Sequence, residues 1–254
     1  MNLNEIKDFL DEKVLKYNQP RFIENDPIQI PHLFKQKQDI EIAAFLAASI
    51  AWGKRDQIIK SSLKIMNLMD NAPYDFISNA SSSDLHRFEE FYYRTFSSVD
   101  CIYFIKALMQ IYQKHGSIEN VFNDGYQAGG IKEAISGFRK VFLSFNSPLR
   151  SHKHVANIEK GASAKRINMF LRWMVRNDNK GVDFGIWHTI STKDLLLPLD
   201  VHTGNVSRKL GLLMRKQNDI KAVDEVMNYL RMFDSNDPVK YDFALFGLGI
   251  EEKF

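Results

Sequence analysis

The sequence predicts an all-α protein of two helical lobes with a cleft between them. Three observations carry this. Apolar residues recur at helical spacing in about ten segments. Thirteen Gly and seven Pro in 254 residues are too few for the turns of a sandwich or barrel. No two alternating runs are joined by a hairpin turn. With 44% apolar and 26% charged residues the chain has a globular composition, and it contains no internal repeat or low-complexity tract. A middle lobe of about 40–145 is expected, with 1–39 and 146–254 forming the other.

Leu3 to Tyr17 places Ile6, Phe9, Leu10, Val14 and Leu15 on one helical face. A loop with Pro20, Pro27 and Pro31 follows. Asp39 is the expected cap of an Ala-rich helix, Ile40 to Trp52, apolar nearly all round as a central helix is. Gly53 to Asp56 interrupts the pattern, and Gln57 to Met69 resumes it. Ser81 to Asp84 reads as loop and cap. Helices are expected from Asp100 to Gly116 and from Ile131 to Phe145, the second stopped by Asn146-Ser147-Pro148. Arg150 to Ala162 is polar and irregular, and Ala164 to Arg176 is helical. Asp200 caps a short helix, Asp219 begins another ending at Phe233, and Asp237-Pro238 starts the last, with proline where its missing N–H is harmless.

One cysteine, Cys101, excludes an internal disulfide, a thiolate zinc site and a four-cysteine iron–sulfur cluster. No cofactor or metal is expected: His152 and His154 form an H-x-H pair without a third ligand nearby, and no P-loop, dinucleotide fingerprint or nucleophile elbow occurs. The polar, acidic N-terminus is not a signal peptide, and the longest apolar run, Ile42 to Trp52, is too short for a bilayer. A cytoplasmic, nucleoid-associated protein is the default expectation.

The net charge of +3 hides an asymmetry. Arg150, Lys153, Lys160, Lys165, Arg166, Arg172 and Arg176 stand against Glu159 alone, so this segment is +6 and the remainder −3. Such a run suits a phosphate backbone, or a solvated surface with a basic bias. Within it Gly161 to Lys165 (GASAK) feeds a helix N-terminus, where backbone N–H groups bind phosphate. There the helix dipole disfavours the ammonium form of Lys165, and a neutral amine is a Schiff-base nucleophile; the alternative is a solvated first-turn lysine. Asp200 is a plain N-cap or, compatibly, a carboxylate fixed beside a reacting centre.

The order GxxxK, helix, loop, PLDVH, helix resembles the helix-hairpin-helix DNA glycosylases of the endonuclease III type. Gly161, Lys165, Asp200, His202, Arg208, Leu210, Gly211 and Leu212 match that family's pattern in order. The 35 positions from Lys165 to Asp200 are closer to the archaeal 8-oxoguanine glycosylase branch. The resemblance implies a glycosylase-like fold without the cluster. It makes Lys165 the amine that attacks the sugar C1′ and Asp200 the assisting carboxylate. FLAASIAWGKRDQ resembles the family's buried helix and DNA-probing loop, which puts Trp52, Lys54, Arg55 and Gln57 near the strand. DFALFGLGI resembles its closing helix. Lys153, Lys160, Gly161, Ser163, Arg166 and Arg208 complete the implied DNA contacts. The chain departs from the pattern at Glu159 to Ser163, where proline and the second glycine of the hairpin are lost, and at Arg166, which replaces a small residue. DPIQIPHLF, AWGKRDQ, KRINMFLRWMVR and PLDVHTGNVSRKLGL also resemble an uncharacterised bacterial family.

Trp52, Trp173 and His202 are candidates to line a base pocket, with core packing as the commoner role of a tryptophan. The expected function is excision of an oxidised or damaged base from double-stranded DNA, with AP-lyase activity through Lys165. The alternatives are a non-catalytic DNA-binding protein of the same fold and a helical protein-interaction scaffold.

Overall fold

The computed structural model describes residues 1–254, and the chain is all-helical. The ten α-helices are α1 Leu3–Tyr17, α2 Lys37–Ser49, α3 Arg55–Leu68, α4 Pro73–Asn79, α5 Ser98–His115, α6 Ile118–Leu143, α7 Lys165–Val175, α8 Val201–Lys209, α9 Ile220–Phe233 and α10 Tyr241–Ile250. Short 3-10 turns join several of them, and the only extended pairings are two isolated bridges, Tyr93 with Phe96 and Ala162 with Asp219. No helix is long and apolar enough to cross a membrane.

Two compact units form, Asn25–Ala156 and Met1–Glu24 with Asn157–Phe254. These boundaries differ from the expected 39/40 and 145/146. The 3-10 turns over 27–33 pack on α2, and the turn Leu149–His154 packs on α5, so both connectors join the unit they touch.

In the unit 25–156, α2 is buried on every side from Ile40 to Ser49, as its composition requires. Phe45 meets Phe104, Phe138 and Phe142, and Phe122 stacks on Phe138 at 4.4 Å. The buried Glu41 serves another helix: it accepts hydrogen bonds from the first N–H groups of α6, at Ile118 (2.8 Å) and Glu119 (3.3 Å), and from the Tyr112 hydroxyl. Asp39 does not cap α2, which begins at Lys37; its carboxylate accepts from the Tyr74 N–H at the start of α4 instead. α4 and the first half of α6 carry no strong periodic signal in the sequence. α6 breaks at Gly129-Gly130, where Gly130 has φ +75°. α5 begins with Ser97 as cap and Asp100 reaching back to it.

The other unit is built on α1 packed along α10, which also packs on α8. Their approach is close at Gly247, where an added Cβ would lie 2.3 Å from the Tyr17 ring. α1 opens with a reciprocal cap between Asn2 and Glu5. α7 is buried from Ile167 to Val175. Its Phe170 meets Trp187 edge-on at 5.3 Å, and its Arg172 lies over Phe243.

Candidate active site

The site is built where two helices of one unit begin. Asn157 to Ala162 turns tightly: the Gly161 N–H donates to the Ile158 carbonyl, and that of Ala162 to Asn157. Gly161 sits at φ +91°, a conformation that favours glycine. Its carbonyl accepts from the Ile220 N–H, so the turn is held against the start of α9. Ala164 follows in the left-handed region, with no side chain capping α7. Lys165 is the first residue of α7 and half-buried. Ser163 ties this strand of chain to the other half of the site by a long hydrogen bond, Oγ to the Leu199 carbonyl at 3.5 Å.

Leu199 leads directly into Asp200, the N-cap of α8. Asp200 Oδ1 accepts from the N–H groups of His202 (2.8 Å) and Thr203 (3.0 Å), and the Asp200 N–H donates to Thr203 Oγ1 at 2.8 Å. Asn218 Nδ2 holds the Asp200 carbonyl at 2.9 Å. One carboxylate oxygen is therefore fixed by the helix terminus, while Oδ2 keeps no hydrogen bond.

A third carboxylate shares this neighbourhood. Asp242, buried near the start of α10, accepts from Arg172 Nη1. Burial pushes its carboxyl up to about 6; Arg172 and Lys165 oppose the rise, while Asp200 and Asp183 add to it. Lys165 and Asp200 thus both act electrostatically on the same buried group. Behind Asp242 lies an ion cluster. Arg172 bonds Asp183 (3.2 Å) with its guanidinium 4.3 Å from the Phe243 ring centroid, and Arg176 bonds Asp183 (2.9 Å), Asp178 (2.7 Å) and Asp237 (2.9 Å). Burial raises the Asp183 carboxyl, with the two arginines opposing.

A protein-family model described as protein of unknown function (DUF2400) matches residues 26–251. The chain belongs to this family. No curated protein and no solved structure matches it. The family match covers both helix starts just described, with Lys165, Asp200 and Asp242 inside it.

The remaining residues singled out by the sequence have varied surroundings. Lys160 is exposed, and Arg166 is half-buried, its guanidinium pushed down to about 10 by burial and still charged at neutral pH. Arg208 does not project as a phosphate ligand: its donors brace the loop after α8 through the carbonyls of Arg215 (2.8 Å) and Lys216 (2.9 Å) and through Asn218 Oδ1 (2.6 Å). Trp173 is no base platform, because it is fully buried in the core with its Nε1 lacking a partner. His202 lies exposed on α8, with its Cβ against Gly249.

Trp52, Lys54, Arg55, Gln57 and Lys153 belong to the unit 25–156. There Trp52 is half-buried, stacked on His154 at 5.7 Å, with its carbonyl bound by the Tyr93 hydroxyl. Lys54 and Gln57 are exposed at the start of α3, Arg55 is half-buried, and Lys153 is exposed in the turn before Val155.

The basic run divides the same way. Arg150 pairs with the buried Asp100 at 3.1 Å, and Arg172 and Arg176 are consumed by the ion cluster. Lys153, Lys160, Lys165 and Arg166 keep some exposure, as does Arg150 beside Asp100. No group of three or more His, Cys, Asp or Glu side chains is placed to hold a metal ion.

Proposed function

We propose that the protein is a base-excision DNA glycosylase with AP-lyase activity, acting on an oxidised or damaged base in double-stranded DNA, and that it has the glycosylase-type fold the sequence resemblance implies. The observation that supports this reading is the pairing of an amine and a carboxylate at two adjoining helix starts, both acting on Asp242. The target nucleotide leaves the stack, since its C1′ is inaccessible in the duplex. The Lys165 Nζ lone pair forms a bond to C1′ as the bond from C1′ to the base nitrogen breaks. The base departs with the bonding electrons and takes up a proton. Asp200, with Oδ2 free, accepts the proton that the attacking nitrogen sheds and stabilises the positive charge developing on the sugar. Opening of the sugar ring gives the Schiff base. Loss of a C2′ proton then expels the 3′ phosphate as the C3′–O bond breaks, and water releases the product. The uncapped start of α7 and Lys160 hold phosphate.

Borohydride reduction of the enzyme on duplexes containing an oxidised purine tests this. A covalent adduct is expected with the native chain and none with Lys165→Ala. Asp200→Asn should lower its yield by roughly 10²–10⁴-fold, as for loss of a positioned proton acceptor. No adduct on any such duplex, or one unchanged in Lys165→Ala, overturns the lyase role. A non-catalytic DNA-binding module is the second reading, favoured by the complete capping role of Asp200 Oδ1; it predicts salt-sensitive binding that survives both substitutions.

A further inference from the structure

The unit 25–156 carries a feature unrelated to Lys165 and Asp200: an open groove of 840 Å³ along one side of α5. Its floor is apolar, made by Leu85, Val99, Ile102, Tyr103, Met109 and Phe145. Val99 is 46% exposed at the edge of this apolar lining. Two cations stand over this floor, Lys106 and Lys114, and no carboxylate lines the groove. Both lysines are solvent-exposed and neither has an ion-pair partner; the Lys114 ammonium lies 5.1 Å from the centroid of the Phe145 ring. The nearest acids in sequence are committed elsewhere. Asp84 accepts from the N–H and hydroxyl of Ser81, and Asp100 is buried on Ser97, Ser151 and Arg150.

The dimensions describe the occupant. From Val99 to Lys114 the groove follows α5 for roughly 22 Å, and the two lysines lie about 12 Å apart along the axis, at 1.5 Å per residue. An extended peptide covers that interval in about four residues, which puts side chains of one face opposite both lysines. A nucleic-acid backbone is a poor match, because it would leave an apolar floor against phosphates with only two cations to meet them. A compact small molecule would leave much of the length empty.

We propose that this groove docks an acidic, linear peptide segment of a partner protein, its apolar side chains on the Ile102–Met109 floor and its carboxylates on Lys106 and Lys114. Apolar burial supplies affinity and the two lysines fix register and orientation.

The test is fluorescence polarisation with the full chain and a labelled short peptide alternating aspartate with leucine and phenylalanine, beside its counterpart with lysine for aspartate. Saturable binding of the acidic peptide alone is expected. It should weaken about tenfold or more in the Lys106→Glu, Lys114→Glu double variant, given two exposed ion pairs turned repulsive. It should also be lost in Ile102→Asp and kept in Lys60→Glu, a change on the exposed side of α3. Thermal melts of the double variant should match those of the native chain, since both lysines are exposed. Equal binding of the two peptides, or affinity unchanged by the double charge reversal, overturns the proposal. So does competition by duplex DNA with the same dependence on Lys106 and Lys114, or a groove occupied by a second copy of the chain in sedimentation experiments.

Discussion

Arg172→Leu is the substitution with the largest consequence for the fold beside the site. Arg172 is buried and is the cation bound to Asp242; it also shares Asp183 with Arg176. Leucine fills most of its volume but leaves Asp242 without its arginine and Arg176 alone with Asp178, Asp183 and Asp237. Removing one partner of a buried ion pair costs about 3–5 kcal/mol, because the orphaned charge stays out of water. At about 2–4 °C per kcal/mol for a chain of this size, the melting temperature should fall by roughly 6–20 °C.

The pH dependence follows from the carboxyl groups. In the native chain burial raises the Asp242 carboxyl to about 6 from an ordinary 3.8. The folded state therefore binds its proton more tightly than the unfolded chain, and this contribution to stability grows as pH falls through about 6. Without Arg172 the opposing cation is gone, Asp242 and Asp183 protonate more readily, and the deficit of Arg172→Leu should shrink between pH 7 and pH 5. Adding Asp242→Asn should restore about 0.5–3 kcal/mol of the loss through the coupling of the pair. Urea unfolding followed by circular dichroism at both pH values reads all of this. A variant as stable as the native chain at pH 7, or a deficit that widens on acidification, refutes the reasoning.

Other substitutions separate structure from chemistry. Asp200→Asn keeps a capping oxygen and should be nearly neutral for stability in a urea titration while lowering the proposed turnover roughly 10²–10⁴-fold, whereas Asp200→Ala removes the cap of α8 and should cost about 1 kcal/mol. Gly247→Ala forces a methyl group into the Tyr17 ring and should destabilise by about 1–3 kcal/mol, read as a lower urea midpoint. Cys101 is fully buried, with its thiol pushed well above the ordinary range. It should resist a thiol reagent in the native state and react at the rate of a free thiol in urea.

The sequence made some features plain and hid others for identifiable reasons. The bounds of α1, the cap at Asp200 and the extent of α9 to within one residue were legible because capping and periodicity are local. α2 starts three residues before its expected first residue, since Asp39 is recruited by Tyr74, 35 positions away. The charge run misled for the same kind of reason: the partners of Arg150, Arg172 and Arg176 include Asp100, Asp237 and Asp242, which no local pattern connects to them. Asp242 itself escaped notice within an apolar closing helix. Its signal was present, a lone carboxylate inside YDFALFGLGI, since a charge buried in such a face requires a buried partner. Lys165 and Asp200 were legible as residues, but their opposite effects on Asp242 emerged only from the fold.

The most direct test of the proposed chemistry is the location of the covalent bond. The native chain, reduced with borohydride on an oxidised-purine duplex, digested and mapped by mass spectrometry, should carry the sugar remnant on the Lys165 side chain. An adduct on another lysine, such as Lys160, or on none, would contradict the assignment of Lys165 as the nucleophile.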